Sequence, residues 1–209
     1  MSVMPDDETT PRLPLRERKK LKTRAAIRRA AYKLVAAQPW ETTTTEQIAA
    51  EAEVSSSTVA RYFPVKEDIL LSDEGDDLLE ARLLARPAGE DPLESLRVVV
   101  TDAVTAALAG ETEEVLLRAR LLVEIPSVRT RLTETTAETA QRLAGALAHR
   151  TGRDADDLEV RVLTAAVLGA LREATVYWAE HGRDPDALAP LLSRTVDTLK
   201  GGLALRARP

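Results

Sequence analysis

Residues 44–63, TTEQIAAEAEVSSSTVARYF, and the PVKEDIL that follows at 64–70 decide how this chain is read. Thr44-Thr45-Glu46-Gln47 has the form of a capping box, in which the Thr44 hydroxyl accepts the third helical N–H and Gln47 reaches back to the Thr44 backbone. A helix is therefore expected to start at Thr44. Its apolar positions Ile48, Ala49 and Ala52 share one inward face, while Gln47, Ala50 and Glu51 look outward. Glu53-Val54 breaks the run, with Val54 placed as a plug between two helices. Ser55 is a good N-cap for a second helix through Thr58 and Val59 to Phe63, where Pro64 prevents simple continuation. The spacing predicts a helix-turn-helix, with a third element opening near Lys66.

The second helix carries the chemistry. Its first turn is almost all hydroxyl, so Ser56, Ser57 and Thr58 can approach base edges and phosphates without steric bulk. Arg61, one turn on, offers a bidentate donor to guanine or phosphate, and Tyr62 adds a phenolic hydroxyl. Lys66 places a cation where a new helix exposes backbone N–H groups, a pairing that suits phosphate. Two short capped helices also occur in helical proteins that never touch DNA. The preceding segment argues for DNA: Arg12, Arg16, Arg18, Lys19, Lys20, Lys22, Arg24, Arg28, Arg29 and Lys33 stand against a single acid, Glu17, in a chain of net charge −5. Such a local concentration of cations is an electrostatic footprint for a polyanion, the alternative being a solvated basic helix.

At this point the residues resemble the TetR family of bacterial transcriptional regulators. The resemblance runs from TRAAIRRAAYKLVA through WETTTTEQIAAEAEVSSSTVARYFPVKEDIL, roughly residues 23–70. It implies an all-α chain: a three-helix DNA-binding head, then a helical bundle for regulation and dimerisation, with release from a palindromic operator when a small molecule binds. Carried over by position, the helix-two threonine matches Thr44, the groove-reading residues match Ser56, Ser57, Thr58, Arg61 and Tyr62, and the phosphate-binding lysine matches Lys66. Thr45, Ser55, Lys22 and Arg24 complete the candidate DNA-contacting set. There are departures: Pro39-Trp40 stands where the family usually has Gly and an aromatic, and Glu53 and Ser57 stand where it often has Gly. A non-glycine residue at a left-handed turn position costs roughly 1–2 kcal/mol, so Glu53 either accepts that strain or reshapes the turn. The later segment LLRARLLVEIPSVRTRL resembles regulators with an acyl-CoA-like ligand-binding domain.

Composition bounds the alternatives. The chain has 209 residues, no cysteine and two histidines, which removes disulfides, thiolate chemistry and a zinc cluster. Neither a metal nor an organic cofactor is expected. MSVMPDDETTPRLPL lacks the apolar core of a signal peptide, and the apolar stretch within 162–171 falls well short of the ~20 residues of a membrane helix. A cytoplasmic protein without membrane contact is expected. Residues 1–70 hold twelve Lys/Arg and ten Asp/Glu, against seventeen and twenty-four in 71–209, so an acidic body would stay off DNA while the head binds.

The expected domains are a flexible arm 1–15, the DNA-binding head 16–66 and a helical body 67–205. The body should carry one helix from Lys66 to Leu84, a loop at 86–91, a helix from Asp91-Pro92 stopped by Gly110, and another over Glu113–Ile125 ended by Pro126. Further helices are expected at Ser127–Arg150 closed by Gly152, at Asp156–His181 closed by Gly182, and from Asp184-Pro185 to Gly201-Gly202. Ala166, Ala170 and Ala174 repeat every four residues beside Gly169, and Leu188, Leu192, Val196 and Leu199 form a stripe. Ala166, Gly169, Ala170, Leu192, Val196 and Leu199 are the candidate dimer contacts, although core packing would use the same stripe. A pocket is expected among helices spanning 91–180, with Arg118 or Arg120 for a carboxylate or phosphate and Tyr177 and Trp178 as aromatic lining. The competing assignment for these is surface pairing with Glu114 or Glu124 and a core tryptophan.

Three functions compete: a repressor released by a ligand, a DNA-binding factor without a small-molecule inducer, and a helical enzyme. Against the last, there is no phosphate-binding glycine loop and no His-rich site.

Overall fold

The computed structural model describes residues 15–71 and 78–202, and every regular element among them is helical. The chain divides into two units between Pro64 and Val65, two residues before the boundary read from the sequence. Of the arm expected at 1–15, residues 1–14 lie outside the described residues, and Leu15 is the first residue of a helix.

The first unit holds α1 (Leu15–Ala37), a single 3-10 turn (Trp40–Thr42), α2 (Thr45–Glu51) and α3 (Ser56–Tyr62). Helices of seven residues do not hold themselves together in water, so α2 and α3 depend on the apolar face they share. Ile27, Ala30 and Ala31 of α1 supply one wall, Ile48 and Ala49 of α2 and Val59 of α3 the others, and Trp40 and Phe63 close the ends. Gln47, Ala50 and Glu51 face solvent, as the spacing requires.

The second unit contains α4 (Asp68–Leu71), α5 (Leu79–Leu84), α6 (Pro92–Glu124), α7 (Pro126–Thr151), α8 (Leu158–Glu180) and α9 (Pro185–Lys200). The continuous helix expected from Lys66 to Leu84 crosses residues 72–77, which are outside the described set. Helices α6 to α9 form a bundle in which α7 and α8 pack most extensively, with α5 against α6 and α7, and α4 against α7. Asp91 caps α6 through the N–H of Glu94 at 2.9 Å, with Pro92 in the first turn. Gly152, at φ 66°, ends α7. Asp184 caps α9 ahead of Pro185.

The stop expected at Gly110 does not occur, and α6 runs unbroken through it. A helical glycine costs only about 1 kcal/mol relative to alanine. Val104, Leu108, Val115 and Leu116 on either side pack against the core and outweigh that cost. The stripe on α9 is also reassigned. Leu188, Leu192 and Val196 are buried in the chain's own core, which is the packing that competed with a dimer role, and Leu199 packs against that core while staying half-buried.

Two arginines clasp the body across long sequence separations. Arg131 on α7 grips Asp68 of α4 with Nε on Oδ1 at 2.7 Å and Nη2 on Oδ2 at 3.1 Å. The Asp68 carboxylate raises the Arg131 pKa, as do Glu134 and Glu138 beside it. Arg150, near the end of α7, donates to the carbonyls of Leu83, Arg86 and Pro87 and to the Ser95 hydroxyl, closing the C-terminus of α5. The 86–91 loop is held from within by Arg86 on Glu90, which also accepts from the Ser95 hydroxyl at 2.6 Å.

Candidate nucleic-acid interface

The capping box at α2 forms as the sequence requires. Thr44 Oγ1 accepts from the Gln47 N–H at 3.2 Å, and Gln47 Oε1 accepts from the Thr44 N–H at 2.8 Å. A residue missed from the sequence locks it: Gln38, just past α1, donates its amide to Gln47 Oε1 at 3.1 Å and to Thr43 Oγ1 at 3.0 Å. No local pattern announces Gln38, because its partners lie beyond the 3-10 turn. Thr44 is exposed and Thr45 half-buried.

The turn between α2 and α3 is a Schellman closure. The Glu53 N–H donates to Ala50 O at 3.2 Å and the Val54 N–H to Ala49 O at 2.9 Å. Glu53 occupies the position that favours glycine, at φ 55°, and so accepts the strain. Glu53→Gly is expected to stabilise the head by about 1 kcal/mol, since the relief of a left-handed side chain exceeds the extra entropy of glycine. Chemical denaturation checks this, and a lower midpoint for the variant would contradict it.

In α3 the hydroxyls are preorganised. Ser55 Oγ accepts from the Thr58 N–H at 3.1 Å and pairs with Ser57 Oγ at 2.9 Å and Thr58 Oγ1 at 2.8 Å. Ser55 and Ser57 are exposed, Ser56, Thr58 and Tyr62 half-buried. Arg61 is exposed, its guanidinium 5.2 Å from the centroid of the Tyr62 ring. At the other end of the core, Arg24 of α1 lies over Phe63 at 5.0 Å, which sets α1 beside the C-terminal end of α3. Lys22 is exposed, and Lys66 lies half-buried just past the division, in the second unit. A short helix with hydroxyls in its first turn and a stacked guanidinium in its last presents hydrogen-bonding groups of the kind that read a major groove.

The candidate ligand residues do not converge. Arg120 turns to Glu124 on the surface of α6 at 3.2 Å, the surface pairing that competed with a ligand role. Tyr177 is 50 % exposed and stacks on His181, ring centroids 3.9 Å apart. Trp178 is a core residue whose Nε1–H donates to Asp184 O at 2.7 Å. Arg118 is half-buried on α6. The face of α8 opposite its core is different in kind: Leu158 is 74 % and Val162 56 % exposed, and Ala166, Gly169, Ala170 and Tyr177 continue the line at helical spacing. Ala166 is exposed and Gly169 and Ala170 half-buried, whereas Ala174 of the same repeat is buried. Among the described residues no group of His, Asp or Glu is placed to hold a metal, and no helix is long and apolar enough to cross a membrane.

Comparison with known proteins adds to this geometry. Residues 27–72 match the family described as bacterial regulatory proteins, tetR family, and residues 90–204 match the MftR C-terminal domain. The HTH-type transcriptional regulator TcmR of Streptomyces glaucescens is 32% identical over 206 residues, covering 94% of this chain and 91% of that protein. Among solved structures, the Thermus thermophilus repressor FadR, in complex with lauroyl-CoA, superposes with a TM-score of 0.51 at 29% identity, covering 89% of this chain and 97% of that one. NalD of Pseudomonas aeruginosa, described as the secondary repressor of the MexAB-OprM multidrug efflux pump, gives 0.52 at 25% identity, over 85% and 96%.

Proposed function

Because the chain belongs to the TetR family of bacterial regulatory proteins, we propose that it is a homodimeric repressor released from a palindromic operator by a small, mostly apolar and partly anionic ligand. It is a DNA-binding transcriptional regulator and not an enzyme. On this reading residues 16–66 bind DNA and 67–205 bind the ligand and dimerise, in the cytoplasm.

The observation that carries the reading is α3 with its N-cap: exposed Ser55 and Ser57, internally bonded hydroxyls and an exposed Arg61. Thr44 and Thr45 at the start of α2, with Lys22, Arg24 and Lys66, supply candidate phosphate contacts, which hold register without reading sequence. Arg61 is the long donor of α3, so Arg61→Ala should cost about 1–3 kcal/mol of operator binding and flatten preference at one position per half-site. Unchanged affinity and preference in a binding assay would remove Arg61 from the reading set.

Dimerisation is assigned to the exposed face of α8, through Leu158, Val162, Ala166, Gly169, Ala170 and Tyr177. Small residues in mid-helix let a partner helix approach closely, and apolar side chains at both ends are stabilised by leaving water. A stable interface of this kind buries on the order of 2,000 Å².

An acyl thioester is the first ligand candidate, supported by the likeness to a repressor crystallised with lauroyl-CoA and by Arg118 on α6. Release requires the ligand to bind a DNA-incompetent state more tightly than the DNA-bound one. The surface settings of Arg120 and Tyr177 and the core setting of Trp178 favour a second reading, a DNA-binding factor without a small-molecule inducer. Thermal shift with acyl-CoAs of increasing chain length separates the two. A rise in Tm together with weakened operator binding supports the inducer, and no shift with any of them supports the second reading.

A further inference from the structure

The N-terminal third of α1 does not pack like the rest of the helix. The line that turns Leu34, Ala31, Ala30 and Ile27 inward continues toward the N-terminus as Thr23, Lys20 and Arg16, changing from apolar to cationic. Arg16, Arg18, Lys19 and Lys22 are all exposed, and among the described residues none of the four forms an ion pair. At 1.5 Å per residue the helix runs about 18 Å from Leu15 to its first buried residue, Ile27. An amphipathic stripe would mark a helix that covers its own protein, and this stretch has none.

Its placement says what it faces. Arg24 lies over Phe63, the C-cap of α3, so the cationic stretch leads away from the C-terminal end of that helix. The geometry points to a second DNA-contacting surface: the helical segment Arg16–Lys22 lies along the phosphate backbone flanking each half-site and contacts it with Arg16, Arg18, Lys19 and Lys22. This rests on the DNA-binding reading above and extends it to a surface outside the helix-turn-helix. At 1.5 Å per residue the Arg16–Lys22 segment is about 9 Å long, which matches roughly three phosphates of one strand at 3.4 Å of rise each, and the long side chains at its two ends bring a fourth within reach. An α-helix about 10–12 Å across does not enter a minor groove about 6 Å wide, so this segment follows the backbone and does not thread the groove as an extended arm would. Its contribution is to affinity and salt dependence, with no base preference.

The test compares the full-length protein with one carrying Arg16→Ala, Arg18→Ala, Lys19→Ala and Lys22→Ala. Alanine keeps the helix, which circular dichroism verifies. A second variant, with Arg16→Lys and Arg18→Lys, keeps the charge. Affinity is measured across a salt series on two probes, a duplex selected by the wild type from a random-sequence pool and an unselected duplex of the same length. The quadruple variant is expected to lose tenfold or more in affinity on both probes. Its log–log salt slope should be shallower by about 0.9 for each phosphate that is no longer neutralised, up to four per protomer, with half-site preferences unchanged. The lysine variant should keep the wild-type slope. Trimming the selected duplex flush to its half-sites should weaken the wild type and leave the quadruple variant unaffected. Equal slopes for wild type and quadruple variant would overturn the proposal. A pool that yields no preferred sequence counts against the regulator reading, while the slopes on the unselected duplex still decide this one.

Discussion

A leucine in place of Gly169 is expected to leave the chain folded, convert dimers to monomers and weaken operator binding at least about a hundredfold, the avidity that two linked heads provide. The expectation is sharp because the glycine has space within its own chain: a Cβ added there meets nothing within 4 Å. Replacing a helical glycine also favours α8 by roughly 0.5–1 kcal/mol, so the monomer should be no less stable than before. Any loss of function must then arise between chains. If a second α8 closes on the line of Ala166, Gly169 and Ala170, the added isobutyl group overpacks the contact by about 1–3 kcal/mol. Two-fold symmetry applies the change twice. Heads that are no longer joined cannot span half-sites about 34–36 Å apart as one unit. Sedimentation of Gly169→Leu as an unaltered dimer would reject this face of α8 as the interface.

Trp178→Ala is expected to destabilise the body by about 3–5 kcal/mol, the cost of deleting a large buried aromatic. The indole is buried in the core and its N–H is committed to Asp184 O, the carbonyl that also accepts from the Ala187 N–H at 3.1 Å at the start of α9. It therefore ties α8 to α9 across a corner in which Gly182 and Arg183 both have positive φ. Trp178→Phe should retain most of the packing and lose the hydrogen bond, at a cost of about 1 kcal/mol plus the smaller ring. A tryptophan lining a ligand pocket would behave differently, changing ligand affinity with little effect on stability. Urea midpoints distinguish the two, and a destabilisation below about 1 kcal/mol for Trp178→Ala would contradict the core assignment.

What could be read from the chain beforehand follows the range of the interactions involved. The caps at Thr44, Ser55, Asp91 and Asp184 and the stop at Gly152 are hydrogen bonds or dihedrals settled within a few residues, so their signatures are contiguous. The strain at Glu53 was legible for the same reason, since the turn's length requires a left-handed residue. Gly110 misled because its helix penalty is small and the packing that outweighs it comes from residues on other helices. The Leu188, Leu192, Val196 stripe shows that one face of α9 is buried but is silent on whether the neighbour belongs to the same chain. The Arg131–Asp68 grip joins residues 63 apart, and neither end carries a local mark. For the ligand candidates, residue type suggested chemistry without giving direction. Arg120 found Glu124 one turn on, and Trp178 found a carbonyl in the next loop.

Whether two α3 helices, joined through a dimer, read DNA sequence is measured by letting the wild-type protein select from a pool of random duplexes and sequencing what it retains. A two-fold symmetric consensus is expected, with half-site centres about 10–10.5 bp apart or a multiple of that, so that one face of the duplex is presented to both heads. Retained sequences with no enrichment over the starting pool would contradict it.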